Sequence, residues 1–181
     1  MIAPYRIELL NDSHQRATFD CGQSSLNDYL KTRASQDARR RVATYFVAID
    51  RAMEAVAAYY TLSAAAIPIP DLPLEIQKKL PRYPTIPAAR MARLAVDRRY
   101  QGQGLGAALL ADALARILES PLATFALIVD AKDEEAAQFY LHHGFQRFSD
   151  TPLQLFLLLA TAASARAAAR TGKADTKKAN P

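Results

Sequence analysis

The chain has 181 residues, half of them hydrophobic, and a formal net charge of +5, which fits one domain with its own core and argues against global disorder. A single cysteine excludes an internal disulfide, and the histidines at His14, His142 and His143 lack zinc-site spacing, so no metal is expected. Arg6 and Glu8 interrupt any signal-type segment, and no apolar run is long enough to span a bilayer, so a cytoplasmic protein without membrane contact is expected.

The N-terminal segment predicts a strand followed by a basic helix. Tyr5 to Leu10 forms the strand, and Ser24 or Ser25 is placed to cap a helix whose apolar positions recur three and four residues apart. That helix continues through residues 26–41, called here the basic stripe, with five basic side chains against two acidic ones. A net positive stripe on a helix suits phosphate contacts, and a solvated helix face is the alternative.

Two strands and a proline-rich connection follow. Ala43 to Ile49 and Ala55 to Ala65 carry β-branched and aromatic residues and predict an antiparallel hairpin. Residues 67–87 contain six of the chain's ten prolines, which exclude a central strand there and enclose a short helical segment, Leu74 to Leu80. Ala88 to Val96 predicts the next strand.

The rest of the chain alternates helices and strands after a glycine-rich turn, Gln101 to Gly106, which holds three of the six glycines. The elements predicted downstream are a helix over Ala107–Leu118, a strand over Ala123–Val129, a helix from its cap at Asp133 through His142 with a stop at Gly144, and strands over Phe145–Phe148 and Leu153–Leu159. The folded domain is expected to span residues 1–160. Residues 161–181 predict an alanine-rich basic tail, partly helical and disordered at its end.

The glycine-rich turn predicts an anion site, because backbone N–H groups can converge where no Cβ blocks their approach. A P-loop would need Lys and Ser or Thr after its last glycine, whereas Gly106 is followed by Ala107. Gly102, Gly104 and Ala107 meet the dinucleotide-binding pattern, with Asp130 at a suitable distance, but the turn comes too late in the chain for the second half of that fold. A turn that binds nothing is the remaining alternative.

A third pattern, Q-x-x-G-x-G at Gln101, Gly104 and Gly106, resembles the pyrophosphate loop of the GNAT superfamily of acyl-CoA N-acyltransferases. Residues 93–97 before the loop and Phe139-Tyr140 after it resemble the flanking strand and the later helix of the same superfamily. Further matches narrow the resemblance to the TacT-type acetyltransferase toxins of bacterial toxin-antitoxin modules, over Tyr5 to Leu159. These further matches are Phe19, Cys21 and Gly22 before Leu26, Tyr29 and Leu30, and then Tyr60-Thr61-Leu62-Ser63.

The resemblance implies an α/β GNAT fold, in which a mixed, mostly antiparallel sheet of about seven strands is flanked by helices and splayed between its fourth and fifth strands. It implies acetyl-CoA as cosubstrate and the α-amine of aminoacyl-tRNA as acceptor, whose acetylation stops translation. It also implies a homodimer and a small DNA-binding antitoxin, of ribbon-helix-helix type. An ordinary GNAT enzyme for a small amine or a protein, and a non-catalytic CoA-binding module, are the alternative functions.

The same resemblance assigns site residues. Tyr140 is implied as the general acid that protonates the leaving thiolate, a role that suits a phenol; a core aromatic beside Phe139 is the alternative. The implied cofactor contacts are the backbone of Leu94 and Val96 for pantetheine, and Gln101, Gly102, Gly104, Leu105 and Gly106 for the pyrophosphate. The candidate tRNA contacts are Arg33, Arg39, Arg40, Arg41, Arg98 and Arg99. Residues 130–133 read Asp-Ala-Lys-Asp where many GNAT proteins have Asn, which leaves the cofactor contacts on that side open.

An α-amine makes modest demands on such a site. Its reference pKa is about 7.7 to 8.0, against about 10.4 for lysine, so a substantial fraction is neutral and nucleophilic near pH 7. A strong general base is therefore not required.

Overall fold

A computed structural model describes residues 4–176, with side chains described through Ala169. The elements in chain order are β1 (Tyr5–Leu9), α1 (Ser24–Thr32), α2 (Ala34–Arg39), β2 (Thr44–Asp50), β3 (Ala55–Pro68), α3 (Leu74–Gln77), β4 (Thr85–Met91), β5 (Leu94–Val96), α4 (Leu105–Glu119), β6 (Ala126–Asp130), α5 (Glu134–His142), β7 (Gln146–Arg147), β8 (Gln154–Leu158) and α6 (Leu159–Thr176). No helix within the described range is long and apolar enough to cross a membrane.

The fold is mixed α/β, with an eight-stranded, mostly antiparallel sheet flanked by helices, as the sequence predicts apart from one additional strand. The additional strand arises because the predicted strand over residues 88–96 divides into β4 and β5. At the break the N–H of Arg93 donates to the side-chain oxygen of Thr61 at 3.2 Å. A side chain thus takes the place of a backbone partner, and the regular ladder is interrupted.

The chain divides into two compact units, and the first comprises Met1–Ala65 and Ala89–Ala115. Within it β1, β2 and β3 form an antiparallel series, and β5 pairs with β3. Apolar side chains of α1 and α2 pack on these strands around Phe19, Leu30 and Tyr59, each at most 1% exposed. The predicted hairpin of β2 and β3 is confirmed.

The basic stripe lies on two helices, so its prediction as one continuous helix is wrong. The chain breaks at Arg33, whose φ of −116° departs from the helical value. Gln23 occupies the N-cap position of α1 and makes no side-chain cap bond. Ser24 and Ser25 are therefore the first residues of the helix, and neither is its cap.

The second unit comprises Ala66–Ala88 and Arg116–Pro181. In it β8 lies between β6 and β7, antiparallel to both. Pro68 ends β3 and Pro87 lies within β4, so the prediction that prolines exclude a strand throughout residues 67–87 is wrong at both ends. Proline lacks only the N–H, and the Pro87 carbonyl accepts a hydrogen bond from Phe125 at 2.9 Å.

The boundaries of α5 follow the prediction. The Asp133 carboxylate accepts a hydrogen bond from the N–H of Ala136 at 2.8 Å, which caps the helix, and Gly144 follows its end at φ +87°. The start of the tail is helical, and α6 is tied to α4 by an ion pair of 2.6 Å between Arg166 and Glu119. Residues 177–181 of the predicted tail lie outside the described residues.

Candidate active site

Strand β5 turns part of its backbone away from its partner strand. The carbonyl of Arg93 accepts a hydrogen bond from β3 at 3.1 Å, and the N–H of Asp97 donates to β3 at 2.9 Å. Backbone groups alternate in direction along an antiparallel strand. Leu94 and Val96, the two residues predicted to contact pantetheine, therefore direct their backbone groups away from β3.

The glycine-rich turn that follows is open on the side where side chains would stand. Gly102 and Gly104 have φ of +72° and +79°, and a Cβ at either position would meet no atom within 4 Å. The first intrahelical bond of α4 is donated by the N–H of Ala108 to Gly104, so the earlier N–H groups of the helix face the turn. Fifteen residues of helix behind them add positive potential at this end. These features suit a pyrophosphate.

Asp97 organises the connection between β5 and the turn. The residue is 1% exposed, and its carboxylate accepts hydrogen bonds from the N–H of Asp20 at 3.0 Å and from the backbone and guanidinium of Arg99 at 3.0 and 2.9 Å. Burial acts to raise the pKa of the Asp97 carboxyl, but these donors outweigh it and hold the pKa below its usual value. Sequence reasoning missed this role, although an acidic residue directly after a buried strand is a signal for it.

Gln101 uses its side chain to hold the turn. The amide nitrogen donates to the carbonyls of Val96 at 2.8 Å and Cys21 at 3.1 Å. The side chain of Gln101, predicted to contact the pyrophosphate, is thus engaged within the protein. Leu105 and Gly106, also predicted to contact the pyrophosphate, are the first two residues of α4.

We expect the substitution Gly104→Ala to weaken acetyl-CoA binding about tenfold, because the methyl group would occupy the open side of the turn and the left-handed backbone would be strained. The same strain should cost about 1 kcal/mol of unfolding free energy. Isothermal titration with acetyl-CoA and thermal unfolding measure the two effects separately.

Gly144→Ala is the matched control. Gly144 also has positive φ, +87°, and its added Cβ would make only an ordinary 3.9 Å contact with Leu157. It should lose similar stability and keep its acetyl-CoA affinity. An equal loss of affinity in both variants would show that backbone strain, and not the turn's role, weakens binding.

Tyr140 lies in the second unit, near the end of α5, and is 5% exposed. Its ring packs against those of Phe139 and Phe145, at centroid distances of 5.2 and 5.4 Å. No described residue forms a hydrogen bond with its hydroxyl, and no fully buried side-chain N or O atom among the described residues lacks a partner. The hydroxyl oxygen is therefore reachable from outside the protein.

Burial raises the pKa of the Tyr140 phenol above its ordinary value of about 10, and the charge of Asp130 adds to the shift. The raised pKa keeps the hydroxyl protonated at neutral pH. A protonated hydroxyl held on a rigid ring without a protein acceptor can donate to a leaving group.

Residues 130–133 next to this helix are engaged within the protein. Asp130 accepts a hydrogen bond from the Gln154 side chain at 2.9 Å, and Lys132 pairs with Asp133 at 2.9 Å. A cavity of about 340 Å³ lies beside Asp130 and Ala131.

The six arginines predicted to contact tRNA differ in whether their charge is already paired with a carboxylate of the protein. Arg99 is committed to Asp97 at 2.9 Å, and Arg98 makes a looser contact of 3.4 Å with Asp20. The other four are exposed and form no ion pair with any residue in the described part of the chain; they are Arg33, Arg39, Arg40 and Arg41. The structure thus leaves the basic stripe as a set of unneutralised cations.

The chain matches known acetyltransferases. The family model of the acetyltransferase (GNAT) domain matches residues 84–154. A tRNA-acetylating toxin of Mycobacterium tuberculosis is 33% identical over 159 residues, which cover 87% of this chain and 92% of the relative.

Solved structures agree with this match. AtaT complexed with acetyl-methionyl-tRNAfMet has a TM-score of 0.82 and 32% identity, covering 89% of this chain and 98% of that one. A mutant AtaT toxin bound to the C-terminus of the antitoxin AtaR and acetyl-CoA has a TM-score of 0.74 and 27% identity, covering 88% and 96%.

Proposed function

The chain belongs to the TacT-type tRNA-acetylating toxins of the GNAT acetyltransferases, and on this premise we propose that it transfers the acetyl group of acetyl-CoA to the α-amine of aminoacyl-tRNA and thereby blocks translation. The observation that carries the proposal is the 33% identity to a tRNA-acetylating toxin over 92% of that toxin's length. The matched region extends over both units. It therefore includes the elements that would bind the acceptor as well as those that would bind the cofactor.

Acetyl-CoA, when bound, supplies the acetyl group as a thioester. The outward backbone groups of Leu94 and the N–H of Val96, whose carbonyl accepts from Gln101, would pair with its pantetheine arm. The N–H groups at the start of α4 would hold its pyrophosphate. The open, positive-φ positions Gly102 and Gly104 support this assignment, because they let phosphate oxygens approach the backbone closely. Among the side chains that the structure describes, through Ala169, no group of three or more His, Cys, Asp or Glu could hold a metal ion, and the proposed reaction uses none.

Tyr140 acts as the general acid in this proposal. Its hydroxyl donates a proton to the leaving sulfur as the C–S bond breaks, and the phenolate that results is reprotonated from solvent. The α-amine attacks in its neutral form and passes its surplus proton to solvent. The Tyr140 phenol stays in its acid form throughout the physiological range, since burial raises its pKa further above an ordinary value of about 10.

The basic stripe contacts the tRNA backbone. Arg39, Arg40 and Arg41 are consecutive, exposed and unpaired within the described residues, so phosphates would meet cations whose charge is not already neutralised. Arg33 extends the same surface, and Arg98 can exchange its loose pairing for a phosphate of tRNA or CoA.

The proposal includes two protein partners and a compartment. The relative AtaT is bound by the C-terminus of its antitoxin. We propose that a small antitoxin of ribbon-helix-helix type binds this chain and that the chain acts in the cytoplasm. A second copy completes a homodimer. Exposed apolar side chains in the second unit support a protein contact there; they are Leu74, Tyr83 and Leu122, each at least 65% exposed.

Radiolabelled acetyl-CoA and charged bacterial tRNA test the proposal. We expect label to enter the RNA fraction, to require charged tRNA and to be released as acetyl-amino acid when the ester is hydrolysed. Induction of the gene should also arrest growth. Label in proteins or small amines alone would make the chain another kind of GNAT enzyme, and acetyl-CoA binding without transfer would make it a binding module.

A further inference from the structure

Tyr100 comes directly before the glycine-rich turn and is buried, at 9% exposure. Its ring meets that of Tyr5 edge to face, with the ring centres 5.9 Å apart, and the guanidinium carbon of Arg99 lies 5.4 Å from the centre of the same ring. The Tyr100 hydroxyl donates a hydrogen bond of 2.9 Å to the carboxylate of Asp50, the last residue of β2. The two residues are 50 positions apart in the chain, so this bond joins the turn to a distant element.

Asp50 belongs to the connection between β2 and β3. One oxygen of its carboxylate accepts the N–H groups of Ala52 and Met53, at 2.8 and 3.3 Å, and the other accepts the Tyr100 hydroxyl. The Ala52 N–H first, and then the Tyr100 hydroxyl, hold the pKa of the Asp50 carboxyl below its usual value although burial opposes them. The acceptor is therefore an anion at neutral pH, and a hydrogen bond to an anion is roughly twice as strong as one between neutral groups.

The same connection is fixed to the start of the chain. The N–H of Arg51 donates to the Pro4 carbonyl at 3.1 Å. The Glu54 carboxylate accepts two guanidinium nitrogens of Arg6, at 2.7 and 2.6 Å, from a backbone with a φ of +48°. Two parallel bonds of this kind restrict geometry as well as adding energy. Asp50 is thus held in place by its surroundings before Tyr100 is considered.

The glycine-rich turn depends on its flanking residues for its position. Among the described residues, the N–H groups of Gly102, Gln103 and Gly104 donate to no protein acceptor. The Gln103 side chain donates to the Arg99 carbonyl at 3.0 Å, which is a local contact. Glycine permits many backbone conformations, so the place where these N–H groups point is set by α4 on one side and by Tyr100 and Gln101 on the other.

Tyr100 and Gln101 attach this flank to different parts of the first unit. Gln101 is exposed, and its neutral amide bonds to the carbonyls of Val96 and Cys21. Tyr100 is buried and bonds to the charged Asp50. Water competes less for a buried hydrogen bond, and a charged acceptor strengthens it. The firmer of the two attachments is therefore the one through Tyr100.

We propose that Tyr100 is a positioning residue for acetyl-CoA: through its hydrogen bond to Asp50 it holds the glycine-rich turn where the N–H groups reach the pyrophosphate. The inference rests on the proposed function, in which this turn binds acetyl-CoA, and adds to it a dependence on a carboxylate of β2. Tyr100 touches neither acetyl-CoA nor the acceptor. Its loss therefore weakens acetyl-CoA binding and leaves the transfer step itself unchanged.

Tyr100→Phe removes the hydroxyl and keeps the packed ring. Isothermal titration without an acceptor should show the Kd of acetyl-CoA rising about five- to tenfold, because a hydrogen bond to a charged group is lost. KM for acetyl-CoA should rise equally, and kcat at saturating acetyl-CoA should change less than about twofold. Asp50→Ala should raise the Kd in the same way. Asp50→Asn should restore it to within about twofold of the unmodified protein, because the amide can donate to the Tyr100 oxygen.

Tyr59→Phe is the matched control, because Tyr59 is a buried tyrosine of the same unit whose hydroxyl donates to the Leu26 carbonyl at 2.9 Å. It loses one hydroxyl hydrogen bond and should keep its acetyl-CoA Kd. The double variant of Tyr100→Phe and Asp50→Ala should bind no more weakly than Asp50→Ala alone, since both changes remove the same bond.

An unchanged Kd in Tyr100→Phe, an equal rise in Tyr59→Phe, or additive losses in the double variant would overturn the positioning role while leaving the acetyltransferase function intact. Absence of transfer to every charged tRNA, with acetyl-CoA binding that follows the expected pattern, would instead refute the proposed function alone.

Discussion

Tyr140→Phe is expected to lower acetyl transfer to aminoacyl-tRNA at least a hundredfold, because general acid catalysis contributes about 10² to 10⁴ in rate and phenylalanine has no proton to donate. The ring stays in place, packed against Phe139 and Phe145, and the hydroxyl has no hydrogen-bond partner among the described residues. Folding and acetyl-CoA affinity should therefore change little. Single-turnover transfer rates, acetyl-CoA titration and thermal unfolding measure the three quantities.

The matched control is Tyr83→Phe, the same chemical change at a tyrosine of the same unit that is 65% exposed. It should leave the transfer rate unchanged. The pH dependence adds a second readout: the raised pKa of Tyr140 keeps it protonated, so no loss of rate from its ionisation is expected below about pH 10. A Tyr140→Phe enzyme that transfers acetyl at the normal rate would remove Tyr140 from the chemistry and return it to the role of a core aromatic.

Replacement of Arg39, Arg40 and Arg41 together by alanine is expected to weaken tRNA binding tenfold or more near physiological salt. Each phosphate contact adds about 0.7 to 0.9 to the slope of log affinity against log salt concentration. Loss of all three should make that slope less steep by about two to three. Filter binding of charged tRNA at several salt concentrations measures both values.

Two variants separate tRNA contact from other effects. The triple replacement of Lys78, Lys79 and Arg82 by alanine removes the same charge from exposed positions outside the stripe, and it should leave the salt slope nearly intact. Arg41→Gly should stabilise the fold by up to about 1 kcal/mol, because glycine relieves the strain of the left-handed backbone at Arg41, whose φ is +59°, and yet weaken tRNA binding. If both triple variants flatten the slope equally, the net charge of the protein and not the stripe attracts the RNA.

The predicted elements and the observed ones differ where a residue's partner is distant in sequence. Local signals placed three elements correctly: apolar periodicity placed α4, the Asp133 cap placed α5, and β-branched and aromatic residues placed the β2–β3 hairpin. The break between β4 and β5 was missed because it depends on Thr61, thirty-two residues from Arg93.

The same distinction applies to the candidate site. The Gln101 to Gly106 pattern identified the turn and its family, and the structure supplied the positive φ values that explain two of its glycines. Asp97 was missed as an organiser because its partner Asp20 is distant in sequence. The use of the Gln101 side chain on Cys21 was hidden for the same reason.

The sequence by itself determined the family, the order of most elements, the cofactor class and the identity of the candidate acid, because motifs, spacing and residue chemistry are local properties. Only the tertiary structure decided which backbone groups of β5 turn outward, which arginines are already neutralised and where a cavity opens beside Arg41. These features depend on hydrogen bonds and packing between segments far apart in the chain, whose partners no local pattern specifies.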